Sequence, residues 1–227
     1  MKKINISPIK SIIAISIPIL ELALGDIIAP YISSDVGNVG FIVGLFATGL
    51  IILLVLYGDV LKKGWHIFRK HTGRNLGLTI VSVAVSYLIL YGIRMLLGSV
   101  AGEKAVMSVQ ATQTQKALLS LLGSLTTLMA PFAEEIVFRH VLFYQWRGRK
   151  ILTVLMFFLS SVAFGLIHWN NFGGDIIQMI PYMAVGAWFA LIYYFSKTIW
   201  QNILTHLLFN SIQFFSALIL VVVAFLQ

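Results

Sequence analysis

Glu134 and Glu135 stand side by side in ALLSLLGSLTTLMAPFAEEIVFRH, a stretch otherwise apolar enough to cross a bilayer. The 227-residue chain has only eight acidic residues, and two of them are here. A carboxylate in hydrocarbon is expensive unless it is paired, protonated or turned to a cavity, so a purely structural helix gains nothing from this pair. Arg139 lies four residues beyond Glu135 and shares its helix face, where an ion pair would keep Glu135 charged and fixed. Glu134 is rotated about 100° from Glu135 and is free to face another helix. One carboxylate for chemistry and one for support is the natural division. The competing reading is a helix end emerging among headgroups with every charge solvated, and Pro131 could kink the helix there.

Two later segments add groups of complementary chemistry. The first is Phe164-Gly-Leu-Ile-His168, the second His206-Leu-Leu-Phe-Asn210. A spacing of four puts the His206 imidazole and the Asn210 amide on one face, a turn apart, with Asn202 and Thr205 adding polarity nearby. Each segment alone reads as an interfacial histidine or an interhelical hydrogen-bond cluster. Together, Glu134, His168, His206 and Asn210 supply a base, two imidazoles and an amide donor, a set suited to adding water to an amide carbonyl. A buried carboxylate takes the proton from water, an imidazole orients that water, and His and Asn side chains donate to the developing oxyanion.

The elements that must position these groups are membrane helices. Apolar residues make up 59% of the chain and charged residues 11%, against about 25% charged in soluble domains. Long apolar runs favour helices over a barrel. The fold class expected is all-α, a polytopic transmembrane bundle of about seven helices at 11–32, 37–57, 76–97, 117–140, 152–169, 176–195 and 199–225. A break of the last near Asn210–Ser211 would make eight. Lys2, Lys3 and Lys10, the run Lys62 to Arg74, Arg147 to Lys150, and Lys197 fall in alternate loops. The positive-inside rule then places the N-terminus in the cytoplasm of a multi-pass protein of the cell membrane and accounts for the net charge of +8 without a nucleic-acid partner. The N-terminal run continues past Glu21 and Asp26 and reads as a retained helix rather than a signal peptide. There is no cysteine, hence no disulfide or thiolate site. Gly40 and Gly44 form a small-xxx-small pair suited to close helix packing. Trp146, Trp169 and Trp200 near span ends suit interfacial anchoring.

The motifs Glu134-Glu135-xxx-Arg139, Phe164-xxx-His168 and His206-xxx-Asn210, in this order on successive helices, resemble the CAAX protease and bacteriocin-processing (CPBP, or Abi) family of intramembrane proteases. The resemblance covers roughly residues 117–215. It divides the chain into N-terminal helices and loops at 1–116 and a catalytic core at 117–227. It implies a peptidase in which Glu134 is the general base helped by His168, His206 and Asn210 form the oxyanion hole, and Glu135 and Arg139 support them. It implies water attack without a cofactor. Zinc is the alternative, with Glu134, His168 and His206 as its ligands, although the linear His-Glu-xx-His motif is absent. The partners implied are membrane lipid and a peptide or protein substrate entering from the cytoplasmic side or laterally, in bacteriocin maturation or self-immunity.

Two other functions compete: a non-enzymatic immunity or scaffold protein that binds a peptide or membrane partner without cutting, and a proton-relaying transporter. The depth of the motifs poses a difficulty for their meeting in one site. At about 1.5 Å per residue, His206 lies about 10 Å from the cytoplasmic end of its span and Glu134 in the cytoplasmic half, whereas His168 counts to the outer end. The groups meet if the fifth span begins in the cytoplasm and enters the bilayer late, or if helices tilt and kink. The first is expected.

Overall fold

A computed structural model describes residues 6–98 and 113–226, and within them the chain folds as seven long helices without strands. These are α1 (Pro8–Ile28), α2 (Asp35–Phe68), α3 (Thr72–Leu96), α4 (Gln113–Glu134), α5 (Ile151–Leu166), α6 (Ile176–Ser196) and α7 (Ile199–Leu226). Segments Pro8–Tyr31, Asp35–Leu96 (which holds both α2 and α3), Thr114–Trp146, Ile176–Ser196 and Ile199–Leu226 are long and apolar enough to cross a membrane; α5 is a shorter apolar helix. The protein is a multi-pass membrane bundle. α7 runs unbroken through Asn210–Ser211, so the last span is not divided there.

Polarity is turned inward. Large apolar side chains such as Ile12, Val55, Phe158 and Phe225 are exposed, while Asn75, Thr79, Ser82 and Ser86 of α3 are buried along one face. That buried stripe is tied to α7, where Gln201 donates to the Thr79 hydroxyl at 2.8 Å and to the Asn75 carbonyl at 3.1 Å. Such bonds hold helices together where lipid removes the hydrophobic drive to associate.

Small residues set the closest approaches, though not the pair expected. A Cβ on Gly40 or Gly44 would meet nothing within 4 Å among the described residues. Gly165 and Gly186 instead bring α5 and α6 into backbone contact: a Cβ at Gly165 would lie 3.0 Å from the Met179 carbonyl, and one at Gly186 3.1 Å from the Ser161 carbonyl. The tryptophans also do more than face an interface. Trp146 donates its indole N–H to the Val141 carbonyl at 3.1 Å, and Trp200 to the Leu61 carbonyl at 2.8 Å.

The fourth span differs most from expectation. It does not stop at 140 but continues as a π-helical turn, Glu135–Val141, and a 3₁₀ turn, Tyr144–Trp146. Carbonyls left over by the change of winding find side-chain donors, as buried helix ends require. Ser160 of α5 donates to Phe138 at 2.6 Å, and Gln145 to Val141 at 2.6 Å. This extension eases the depth difficulty. Glu134 lies 12 residues, or about 18 Å, from Trp146, and His168 about 25 Å from Ile151. The helices also do not start at a common plane, since Thr198 and Ile199 at the head of α7 are themselves buried.

Candidate active site

The two glutamates occupy different environments. Glu135 is completely buried and held from three sides. Arg139 Nε lies 3.5 Å from its Oε2, Asn202 Nδ2 donates to the same oxygen at 3.0 Å, and His206 Nδ1 lies 2.9 Å from Oε1. Asn202 also donates to the Phe189 carbonyl at 2.6 Å, which ties the carboxylate to α6. Glu134 keeps 19% of its side chain exposed and lines a cavity of about 1030 Å³, with its Oε2 3.8 Å from His206 Nε2. Sequence spacing identified the Glu135–Arg139 pair; Asn202 carried no signal beyond being polar.

Arg139 is fully buried, and its guanidinium N–H groups make no hydrogen bond among the described residues. Its charge is met by Glu135 and by aromatic faces: its Cζ lies 3.7 Å from the centre of the Phe164 ring and 5.2 Å from that of Phe189. A desolvated guanidinium over a ring is attracted by the ring quadrupole. Phe164 also contacts both histidines edge to face, His168 at 5.4 Å and His206 at 5.6 Å between centroids. The phenylalanine of the second motif is thus the packing piece through which the three motifs meet.

The tautomers follow from the acceptors. A carboxylate and a carbonyl can only accept, so His206 donates from Nδ1 to Glu135, and His168 from Nδ1 to the Phe164 carbonyl at 3.0 Å. His206 is left with Nε2 toward Glu134, 3.8 Å from its Oε2. His168 lines the cavity with Glu134 and Asn210, and its ring packs tilted against Tyr182 with centroids 4.4 Å apart. His206 stands behind Glu134 rather than in the cavity wall.

Asn210 Nδ2 donates to the Thr127 carbonyl at 3.0 Å. Thr127 is the residue whose carbonyl a donor at position 131 would satisfy, and position 131 is proline, without an N–H. Asn210 therefore repairs the gap that Pro131 opens in α4, and its second amide hydrogen remains for the cavity it lines.

The N-terminal helices also contribute to the wall. Glu21 of α1, Leu53 of α2 and Arg94 of α3 line the same cavity as Glu134. One Glu21 oxygen is buried without a partner among the described residues, and the carboxylate is pressed so closely on Gly49 that a Cβ there would collide with it. Sequence reading treated Glu21 only as an interruption of an apolar run. Asp26, one turn on, accepts from Asn170 at 2.8 Å and fastens α1 to the turn after α5.

Among the described residues no three His, Cys, Asp or Glu side chains converge as a metal-binding group. His206 is bonded through Nδ1 to Glu135, the pattern that a carboxylate behind a histidine also makes at metal sites, and its Nε2 is the nitrogen turned toward Glu134.

Residues 116–212 match the family described as "Type II CAAX prenyl endopeptidase Rce1-like". The chain is 26% identical over 174 residues to a Bacillus subtilis (strain 168) protein named "Putative membrane peptidase YdiL", a match covering 73% of this chain and 66% of that protein. It is 32% identical over 112 residues to an "Uncharacterized protein" of Mycoplasma capricolum subsp. capricolum, covering 48% of this chain and 32% of that one. The chain thus spans less than two thirds of the length of either relative. No solved structure matches it.

Proposed function

We propose that this chain is a CPBP/Abi-type intramembrane endopeptidase in which Glu134 activates the attacking water, a reading supported by the likeness of residues 116–212 to the Rce1-like family. One observation carries this reading: of the adjacent carboxylates, Glu135 is fully buried and bonded, and Glu134 is the one presented to a chamber large enough for a peptide segment. In the reaction, Glu134 takes a proton from water as its oxygen bonds to the scissile carbonyl carbon. His168, which lines the same cavity, orients that water. The oxyanion is met by the second N–H of Asn210, while His206, behind Glu134 with its Nε2 3.8 Å from Oε2, holds the base in place. Glu134 then returns its proton to the leaving amine as the C–N bond breaks. Preorganised donors of this kind stabilise developing charge most where water is excluded.

The family resemblance supports peptide processing of the bacteriocin maturation or self-immunity kind as the setting. Mass spectrometry of peptides from membranes carrying wild type or Glu134→Ala tests the activity. Products present with the first and absent with the second are expected. Identical peptide profiles, with immunity retained by Glu134→Gln combined with His206→Ala, would favour a binding protein that does not cut.

A further inference from the structure

The chamber has a direction, and this rests on the proteolytic reading only in naming what enters it. The turns of the bundle fall at two ends. At one lie the start of α1 and the α2–α3, Trp146–Ile151 and α6–α7 connections; at the other lie the α1–α2 and α5–α6 connections and the end of α7. Among the described residues, the first end carries Lys10, Lys62, Lys63, Arg69, Lys70, Arg74, Arg147, Arg149, Lys150 and Lys197 against Asp59 alone. The second carries Arg94 and Lys116 against Asp26, Asp35 and Asp175.

The chamber belongs to the second end. Its lining falls within 17–29 of α1 and the turn after it, 42–53 of α2, 87–94 of α3, 120–138, 167–171, position 182 and 209–220 of α7. Its floor, at Leu53, Ala130, Val137 and Phe138, is buried; its rim, at Asp26, Tyr91, Asn171 and Gln213, is exposed. The basic end is shut. Tyr144 stacks on Tyr193 with centroids 3.8 Å apart, Thr198 donates to the Gly64 carbonyl at 2.8 Å, and Ile199 and Ile203 are completely buried. No lining residue comes from the basic loops.

Basic loops are retained in the cytoplasm. We infer that the chamber opens away from the cytoplasm, and that its substrate is a peptide segment presented on the non-cytoplasmic side of the membrane. Of the two routes expected from the sequence, entry from the cytoplasmic side or laterally, this inference sets aside the first.

The absence of cysteine makes the test direct. Single cysteines are placed at Asn171 and Gln213 on the rim, at Ser120 on the chamber wall, and at Lys62 and Lys150 on the basic end. Intact cells are then treated with a membrane-impermeant maleimide, with labelling in detergent as the control for each variant. Labelling of Asn171→Cys, Gln213→Cys and Ser120→Cys in intact cells, with Lys62→Cys and Lys150→Cys labelled only after permeabilisation, is expected. The opposite pattern, or a Ser120→Cys reached only after permeabilisation, overturns the inference. Since labelling requires no turnover, an inactive chain would refute the protease reading without touching this one.

Discussion

His206 is bonded through Nδ1 to Glu135 at 2.9 Å, not to its neighbour Glu134, which stands 3.8 Å from the other ring nitrogen. The imidazole therefore links a buried, immobilised carboxylate to the one facing the chamber. Orientation of a ring by a carboxylate behind it is a general way of fixing which nitrogen a site presents. Here the carboxylate is itself fixed, by Arg139 and Asn202.

Glu135 and Arg139 should consequently matter to folding first. Removing one partner of a buried pair leaves an uncompensated charge and costs roughly 3–5 kcal/mol. Glu135→Ala and Arg139→Ala are expected to lower the thermal melting temperature in detergent sharply, while Glu134→Gln leaves it near wild type. Equal melting temperatures for all three would mean that the pair is not the structural anchor.

Asn210 is assigned two duties that a double variant can separate. Asn210→Ala strands the Thr127 carbonyl, at a cost of about 1–3 kcal/mol for a buried unsatisfied group. Adding Pro131→Ala restores a backbone donor to that carbonyl. The double variant is expected to recover stability in urea or thermal melts but not cleavage. Recovery of cleavage as well would reduce Asn210 to a helix repair.

Metal dependence gives an independent check. With no convergent ligand group among the described residues, cleavage by purified protein is expected to survive 1,10-phenanthroline within about two-fold, well below the 10–100-fold loss that weakening a metal site brings. Stoichiometric zinc by elemental analysis, together with loss of activity on chelation, would contradict the proposed water attack.

Several of these relationships were legible in the chain before folding. The Glu135–Arg139 spacing announced their ion pair because i,i+4 geometry is local. Pro131 could have pointed to Thr127, since a proline always orphans the carbonyl four residues back; only the identity of the donor, 83 residues away on α7, needed the fold. Glu21 and Asn202 were illegible because their meaning lies in which helix they face. Gly40 and Gly44 misled for the same reason: a small-residue motif says that helices can approach, not that a neighbour is there, and the contacts went to Gly165 and Gly186. The end of the fourth span was misplaced at 140 because a π turn carries no hydropathy signature. The six residues it and the following turn add are what bring Glu134 deep enough to reach a chamber shared with His168.

The central claim is that adjacent glutamates divide into one base and one support, and it is tested by cleavage rates of Glu134→Gln and Glu135→Gln on a peptide first identified from wild-type membranes. Glu134→Gln is expected to lose about 10²–10⁴-fold in rate, the contribution of a positioned general base, with an unchanged melting temperature. Glu135→Gln is expected to lose stability along with activity. A Glu134→Gln protein that cleaves at the wild-type rate would contradict the account.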